Sequence, residues 1–514
     1  MLELHTPLDA ANWLRSRVTG TLQADSRKLR PGDGFIAWPG AAKDARRYVE
    51  PALASGASAA LVERSGVESY RFSDAGIATY AGLKAASGPI AAAFFNHPSE
   101  QLAVLAVTGT NGKTSTAWWL AQALSNLKQV APIACALIGT LGIGRAPMPG
   151  RTHADVVATG LTTPDPVLLQ QSLRRFVDEG LQACALEASS IGIEEHRLDA
   201  VRIRTAIFTN FTQDHLDYHG SMARYWQAKA RLFDWPGLQS AVINLDDAQG
   251  AALAAALGNQ VPDLWTVACD GPARLRAGDI GYQGPGLRFT VVESSPEGEQ
   301  RHALQTAMIG RYNVSNLLGV MAAMRSLGVP LAAVIDACAD LTPVPGRMEC
   351  VGEPGQPLAV VDYAHTPDAL GQTLQALGPL AQQRGGQLWC VFGCGGDRDA
   401  AKRPLMGAIA GRYADRVVVT SDNPRSEKPE TIISQILLGL SGHQAVEVEP
   451  ERAQAIVQAL GHAGANDVLL IAGKGHEDYQ EVAGQRLAFS DLAQVQRGLA
   501  HWGGSATGIG GINA

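Results

Sequence analysis

Residues 104–115, VLAVTGTNGKTS, decide the fold. Val104-Leu105-Ala106-Val107 is a short apolar run of the kind that forms a strand buried on both faces, and AWWLAQAL at 117–124 reads as a helix. Between them lie Gly109, Thr110, Asn111, Gly112, Lys113, Thr114 and Ser115. Glycines let backbone N–H groups wrap a phosphate, the helix N-terminus adds further donors, Lys113 adds a point charge, and the Thr114 hydroxyl can reach Mg²⁺. The pattern departs from GxxxxGK[ST], because Val107 stands at the first glycine position and Gly109 lies three residues before Gly112. Strand, loop, Gly-Lys-Thr and helix nonetheless occur in order, and the segment reads as a nucleoside triphosphate site on a parallel sheet.

Outward from this loop, apolar runs ending in Gly- or Asp-rich loops and followed by helical stretches recur along nearly the whole chain, the pattern of α/β units. At 514 residues the chain has length for about three domains. Two segments break the pattern: GPIAAAFFNHPS at 88–99, and LTPVPGRME at 341–349 with its two prolines and a glycine. The expected division is a smaller α/β domain at 1–98, a central ATPase-type parallel sheet at 99–342, a Rossmann-like domain at 343–505 and a flexible tail at 506–514. Lys and Arg number 42 against 49 Asp and Glu, a net charge of −7 without long runs of one sign, so nucleic acid is not an expected partner. The N-terminus lacks the basic and apolar regions of a signal peptide, no segment has the length of a membrane span, and seven scattered cysteines read as reduced thiols. The expectation is a soluble, unsecreted protein.

The central region offers further candidates. Gln182–Leu186 reads as a strand that delivers Glu187 to its C-terminal end, where open parallel sheets bind ligands. Thr205–Thr209 reads as another, followed by Asn210 and by Asp214-His215. One carboxylate, the Thr114 hydroxyl and nucleotide phosphates suffice for a Mg²⁺ ion that keeps several waters. A helix over Met222–Phe233 would surround Lys229 with Tyr225, Trp226, Leu232 and Phe233. Periodicity alone favours a lysine with its stem packed and its ammonium at the surface. In the last region the runs 358–361, 388–392, 416–420 and 467–471 lead to DYAHTPD, GCGGDRD, SDNPR and AGKGHE, gathering polar loops along one sheet rim. In DNPR, Pro424 stiffens the approach of Arg425, whose planar guanidinium can hold a carboxylate through two parallel bonds.

Taken with DSRKLRPGDGFIAWPG at 25–40, LEASS at 186–190, TNFTQDHLDYHG at 209–220, YWQAKARLF at 225–233, PGRME at 345–349 and GKGHE at 473–477, the phosphate loop resembles that of the Mur ligase family. The resemblance runs from the first domain to the last. It implies an ATP- and Mg²⁺-dependent ligase that forms amide bonds through acyl phosphates, acting as a monomer in the bacterial cytoplasm. The DNPR form implies addition of meso-2,6-diaminopimelate to the D-Glu of UDP-N-acetylmuramoyl-L-alanyl-D-glutamate. It also implies roles: Lys113, Glu187, His215 and Lys229 in catalysis, with Thr114, Glu187, His215 and a carbamylated Lys229 at the metal. ATP would contact residues 109–115 together with Asn316, Arg347 and Asp362. The UDP-dipeptide falls to Ala24, Ser26, Ala41, Ala42 and Lys43 in the first domain and to Thr162, Thr163, Ser189, Glu195 and Arg197 in the second. Diaminopimelate falls to Arg398, Asp422, Asn423, Pro424, Arg425, Gly473 and Glu477. Two positions depart from many relatives, Ile191 in place of His and Glu195 in place of Gln. A lysine-adding or folylpolyglutamate-type ligase and a non-catalytic nucleotide-binding regulator remain alternatives.

Overall fold

The computed structural model describes residues 1–40, 43–147, 154–283 and 286–503. Three sheets follow one another along the chain. The first is five-stranded and parallel, in the spatial order Leu2–Leu4, Ile77–Tyr80, Ala59–Glu63, Gly34–Ala37, Leu22–Gln23.

The second sheet has eleven strands. Its middle is parallel, in the order Asp263–Ala268, Ser240–Asn244, Ile203–Phe208, Ala103–Thr108, Ala183–Glu187, Cys135–Gly139. Leu275–Gln283 joins Asp263–Ala268 in parallel, and antiparallel strands extend the sheet beyond it and at the other edge. Ala103–Thr108 lies between two parallel neighbours and is buried on both faces apart from its first residue, which is why it reads as an unbroken apolar run. Helix Lys113–Ser125 packs behind it, with Trp118 and Trp119 in the core.

In the third sheet the order is Glu349–Val351, Leu358–Asp362, Val468–Ala472, Leu388–Phe392, Arg416–Val419, Val446–Val448. The four runs read from the sequence form its parallel centre. Two edge strands and a separate hairpin, Tyr479–Val482 with Gln485–Ala488, add to them.

Helix starts differ in a way that matters for function. Helix Pro166–Asp178 opens on Asp165, whose Oδ1 accepts from the N–H groups of Val167 and Leu168, both at 3.0 Å. Helix Pro367–Arg384 opens on Thr366, which accepts from Ala369 N. Helix Lys113–Ser125 opens on Gly112 with no side-chain cap, so its first-turn donors are left for another partner. Among the described residues no helix is long and apolar enough to cross a membrane.

Candidate functional site

The loop before helix Lys113–Ser125 is shaped by two glycines and held from the side by the neighbouring strand end. Gly109 and Gly112 have φ of +151° and +82°; a Cβ on the first would collide with the Thr209 hydroxyl and on the second with the Asn316 amide. Asn210 accepts from Thr110 N at 2.8 Å through its carbonyl and from Asn111 N at 2.9 Å through its side chain. The Thr209 hydroxyl donates to Asn111 O at 2.6 Å. Thr209 and Asn210 thus position the loop, a role the sequence reading did not assign. The signal was available, since both follow a strand adjacent to the loop.

Lys113 folds back onto its own loop, donating to Gly109 O at 2.9 Å and Thr110 O at 2.8 Å. Burial lowers its pKa against the opposing pull of Glu187 and Asp214. Lys113 is half-buried, whereas Lys229 is fully buried, 1% exposed, and donates to the same Gly109 carbonyl at 2.6 Å. This corrects the surface-lysine expectation. The α-helix covers Met222–Ala230 and tightens to a 3₁₀ turn at Arg231–Asp234, and Lys229 points inward to lie over the Tyr225 ring at 4.5 Å. Burial first, then the charge of Lys113, pulls its pKa well below the ordinary lysine value.

Glu187 is 1% exposed. Its oxygens accept from Thr114 Oγ1 at 3.0 Å, Thr140 N at 2.8 Å and Thr140 Oγ1 at 3.1 Å, with no cation paired to it among the described residues. Thr140 was missed in the sequence reading although it directly follows strand Cys135–Gly139. His215, at φ +53°, lies with Nε2 3.5 Å from Asp214 Oδ2; burial lowers its pKa. No three His, Cys, Asp or Glu side chains cluster as a preformed metal cage among the described residues.

These groups line a cleft of about 480 Å³ between the second and third sheets. Residues 110–115 form one wall with Glu187, His215 and Thr162; Asn316, Arg347 and Asp362 form another. Arg347 reaches across, with Nη2 3.3 Å from Thr114 Oγ1 and its guanidinium 4.3 Å over the Tyr363 ring. Asp362 accepts from Met348 N and Ala364 N, and burial raises its pKa. Asn111 Nδ2 donates to Asp368 Oδ2 at 2.9 Å, a second link between the walls.

The remaining candidates lie outside this cleft. Thr163 donates to Glu187 O at 2.8 Å, lies 2.9 Å from the Ser189 hydroxyl, and accepts through its carbonyl from Arg197 Nη1. Glu195 accepts from Tyr218 OH and pairs with Lys84 of helix Leu83–Phe94 at 2.6 Å. Ala24, Ser26 and Lys43 follow parallel strands of the first sheet, with Ser26 opening a short turn capped by Asp25. Ala41 and Ala42, like the tail at 506–514, lie outside the described residues.

On the third sheet, Gly395 lies between Arg398 and Arg425; a Cβ there would stand 3.0 Å from Arg425 Nη1 and 3.7 Å from Arg398 Cγ. Arg425, at φ +53°, is held by the hairpin that the sequence reading missed: its N–H donates to Glu481 O and its carbonyl accepts from Ala483 N. Its side chain donates to Gly396 O at 2.7 Å and lies 3.5 Å from Glu481 Oε2. Arg398 is 3.9 Å from Asp217 of the central region. Gly396 lets Pro424 O approach closely, and Gly473, at φ +117°, does the same for Asp422. Asn423 donates to Glu477 Oε2 at 2.8 Å.

Two family descriptions match the chain: Mur ligase middle domain over residues 107–324, and Mur ligase, glutamate ligase domain over residues 346–475. Over 506 residues the chain is 61% identical to a UDP-N-acetylmuramoyl-L-alanyl-D-glutamate–2,6-diaminopimelate ligase of Acidovorax sp. (strain JS42), covering 98% of this chain and 99% of that protein. The chain belongs to the Mur ligase family. A Mur ligase relative of the same name from Janthinobacterium sp. (strain Marseille) is 47% identical over 498 residues, 95% of this chain and 96% of its own length. Among solved Mur ligase structures, one of a ligase of that name is 36% identical with a TM-score of 0.61, covering 93% of this chain and 94% of its own. MurF from Acinetobacter baumannii shares the fold at a TM-score of 0.66 and 19% identity, over 95% of this chain and 98% of its own.

Proposed function

We propose that this Mur ligase joins meso-2,6-diaminopimelate to the D-Glu γ-carboxylate of UDP-N-acetylmuramoyl-L-alanyl-D-glutamate, with cleavage of ATP to ADP and phosphate. The observation that carries the reading is the uncapped helix start, with Lys113 folded onto its loop and the buried Lys229 against the same carbonyl, facing a second sheet whose rim presents Arg425 and Arg398, the latter 3.9 Å from Asp217 of the central region. The full-length likeness to ligases of this name supports it.

In this mechanism the γ-carboxylate takes the terminal phosphoryl group of ATP to give an acyl phosphate and ADP. The amine of diaminopimelate attacks the acyl carbon, inorganic phosphate leaves, and the amide remains. Lys113 exchanges its two carbonyl partners for phosphate oxygens, and the first-turn N–H groups of its helix donate alongside it. Asn316, Arg347 and Asp362 border the nucleotide from the opposite wall. The residues fit Mg²⁺, since the buried Glu187 carboxylate has hydroxyl and N–H partners but no cation. Thr114, Glu187 and His215 would hold the ion, which neutralises phosphate charge when bound. The depressed basicity of Lys229 fits the carbamate reading, because only an unprotonated amine adds CO₂; the product is an anion and a released proton. Thr163, Ser189, Glu195 and Arg197 would hold the dipeptide, and Ala24, Ser26 and residues 41–43 the UDP-sugar. Diaminopimelate would meet Arg398 and Arg425 through carboxylates, and Asp422 and Glu477 through ammonium groups. We place the enzyme in the bacterial cytoplasm as a monomer.

The test is ligation of the UDP-dipeptide with a panel of amino acids, read by product mass. An ATP-dependent gain of one diaminopimelate residue is expected. A lysine or glutamate adduct, or no adduct, overturns the reading.

A further inference from the structure

Beneath the rim lies a buried charge to which the mechanism above gives no part. Lys474 follows strand Val468–Ala472, and its side chain is 0% exposed. Its Nζ donates to Asn423 Oδ1 at 2.9 Å and to Glu477 Oε2 at 3.0 Å, and stands 3.5 Å from Asp422 Oδ1. One ammonium therefore joins the two loops, DNPR and GKGHE, that carry the proposed acceptor contacts.

The other buried cation here is already committed. Arg452 makes a two-fold pair with Asp491, 2.7 Å at each bond, and also donates to the carbonyls of Ser421 and Ala472. No other Lys or Arg among the described residues forms an ion pair with Asp422 or Glu477. Two carboxylates thus face one ammonium. The arrangement carries one negative charge in excess, in a place where an unbalanced charge is costly. Asp422 Oδ1 is buried and has no hydrogen-bond partner. Such a site is completed by a ligand ammonium.

We propose that Lys474 is a positioning residue for the acceptor amino acid, acting through Glu477; this rests on the ligase reading above. By holding Oε2, Lys474 fixes the Glu477 carboxylate while Asp422 Oδ1 stays free to accept from an ammonium. Asn423 depends on Lys474 less, because its Oδ1 also accepts from Glu481 N at 2.9 Å. Glu477 Oε2 is held by Asn423 Nδ2 at 2.8 Å and Lys474 Nζ at 3.0 Å, and of these two donors only the lysine brings the charge that balances the buried carboxylate.

Steady-state kinetics with meso-diaminopimelate, ATP and the UDP-dipeptide test this in the full-length enzyme. Lys474→Met should raise KM for diaminopimelate about 10–100-fold, the scale of one hydrogen bond to a charged group, with KM for the other two substrates unchanged and kcat moved less than KM. Lys474→Arg should recover part of the loss. Once Glu477 is neutralised the charged contact through which Lys474 acts is gone and only the longer 3.5 Å approach to Asp422 remains, so adding Lys474→Met to Glu477→Gln should cost at most about threefold more. If Lys474→Met does not fold alone, the double variant against Glu477→Gln decides, since there the buried opposite charges leave together. Equal shifts in all three KM values, or losses that multiply in the double variant, overturn the proposal. Wild-type enzyme that does not use diaminopimelate overturns the ligase reading instead.

Discussion

The phosphate cleft and the acceptor rim are built on opposite electrostatic plans. In the cleft and behind its loop, Lys113 and Lys229 respectively are bonded only to backbone carbonyls, Glu187 has no cationic partner, and the helix start is uncapped. On the rim three charged candidates already have a protein partner, Arg425 with Glu481, Arg398 with Asp217 and Glu477 with Lys474, and Asp422 Oδ1 lacks a hydrogen bond among the described residues. The cleft holds charges ready for an anion and a cation to complete. An amino acid whose carboxylates bind Arg398 and Arg425 has to exchange existing partners. Preorganised charge of the first kind favours a developing phosphate, whereas exchange of the second kind favours discrimination among acceptors.

Removing a cleft charge should produce the largest loss. Lys113→Ala and Glu187→Ala should each lower turnover by about 10²–10³ or more, with circular dichroism and melting temperature close to wild type. Folded variants with near-normal turnover would erase the contrast. Lys229→Ala should likewise be inactive, and small carboxylic acids such as acetate should restore part of the activity by supplying an anion where the lysine stood. A free Lys229 amine found by intact mass in active enzyme would remove the carbamate.

On the rim, Arg425→Ala should lose diaminopimelate turnover by about 10²-fold, because a charged contact to the distal carboxylate is gone, without gaining L-lysine, because Arg398 and the shape of the rim are unchanged. The measurement is kcat/KM for both amino acids in both proteins. An unchanged ratio would show that partner exchange at Arg425 does not select the acceptor. The smallest effect belongs to a helix start away from the chemistry. Asp165→Ala should cost about 1 kcal/mol in denaturant unfolding while KM for ATP stays unchanged, since that cap serves its own helix.

Legibility followed the same division. The cleft loop was readable because its chemistry is contiguous: residues 109–115 bring glycines, lysine and hydroxyl in a single turn. Glu187 was readable because a parallel strand delivers the residue at its end to the ligand edge. Thr140, which holds both Glu187 oxygens, was not assigned, since its partner lies 47 residues away and only strand pairing makes them neighbours. Lys229 was misjudged for a similar reason. Helical periodicity places it among apolar residues, but only the packing of its helix against the phosphate loop makes Gly109 O its partner.

The sequence by itself determined the α/β class, the phosphate loop, the four parallel central strands of the last sheet and the family, because each depends on local apolar runs, glycine conformations and short motifs. Tertiary structure alone decided which charges are paired. Glu349–Val351 and Val446–Val448 are three-residue edge strands with little local signal, and the hairpin 479–488 gains its meaning from docking on Arg425. Whether Lys474 is a solvated surface charge or the buried link between two loops depends on contacts spanning 51 residues. Charge pairing is set by distance and burial, and both arise only when the sheets have packed.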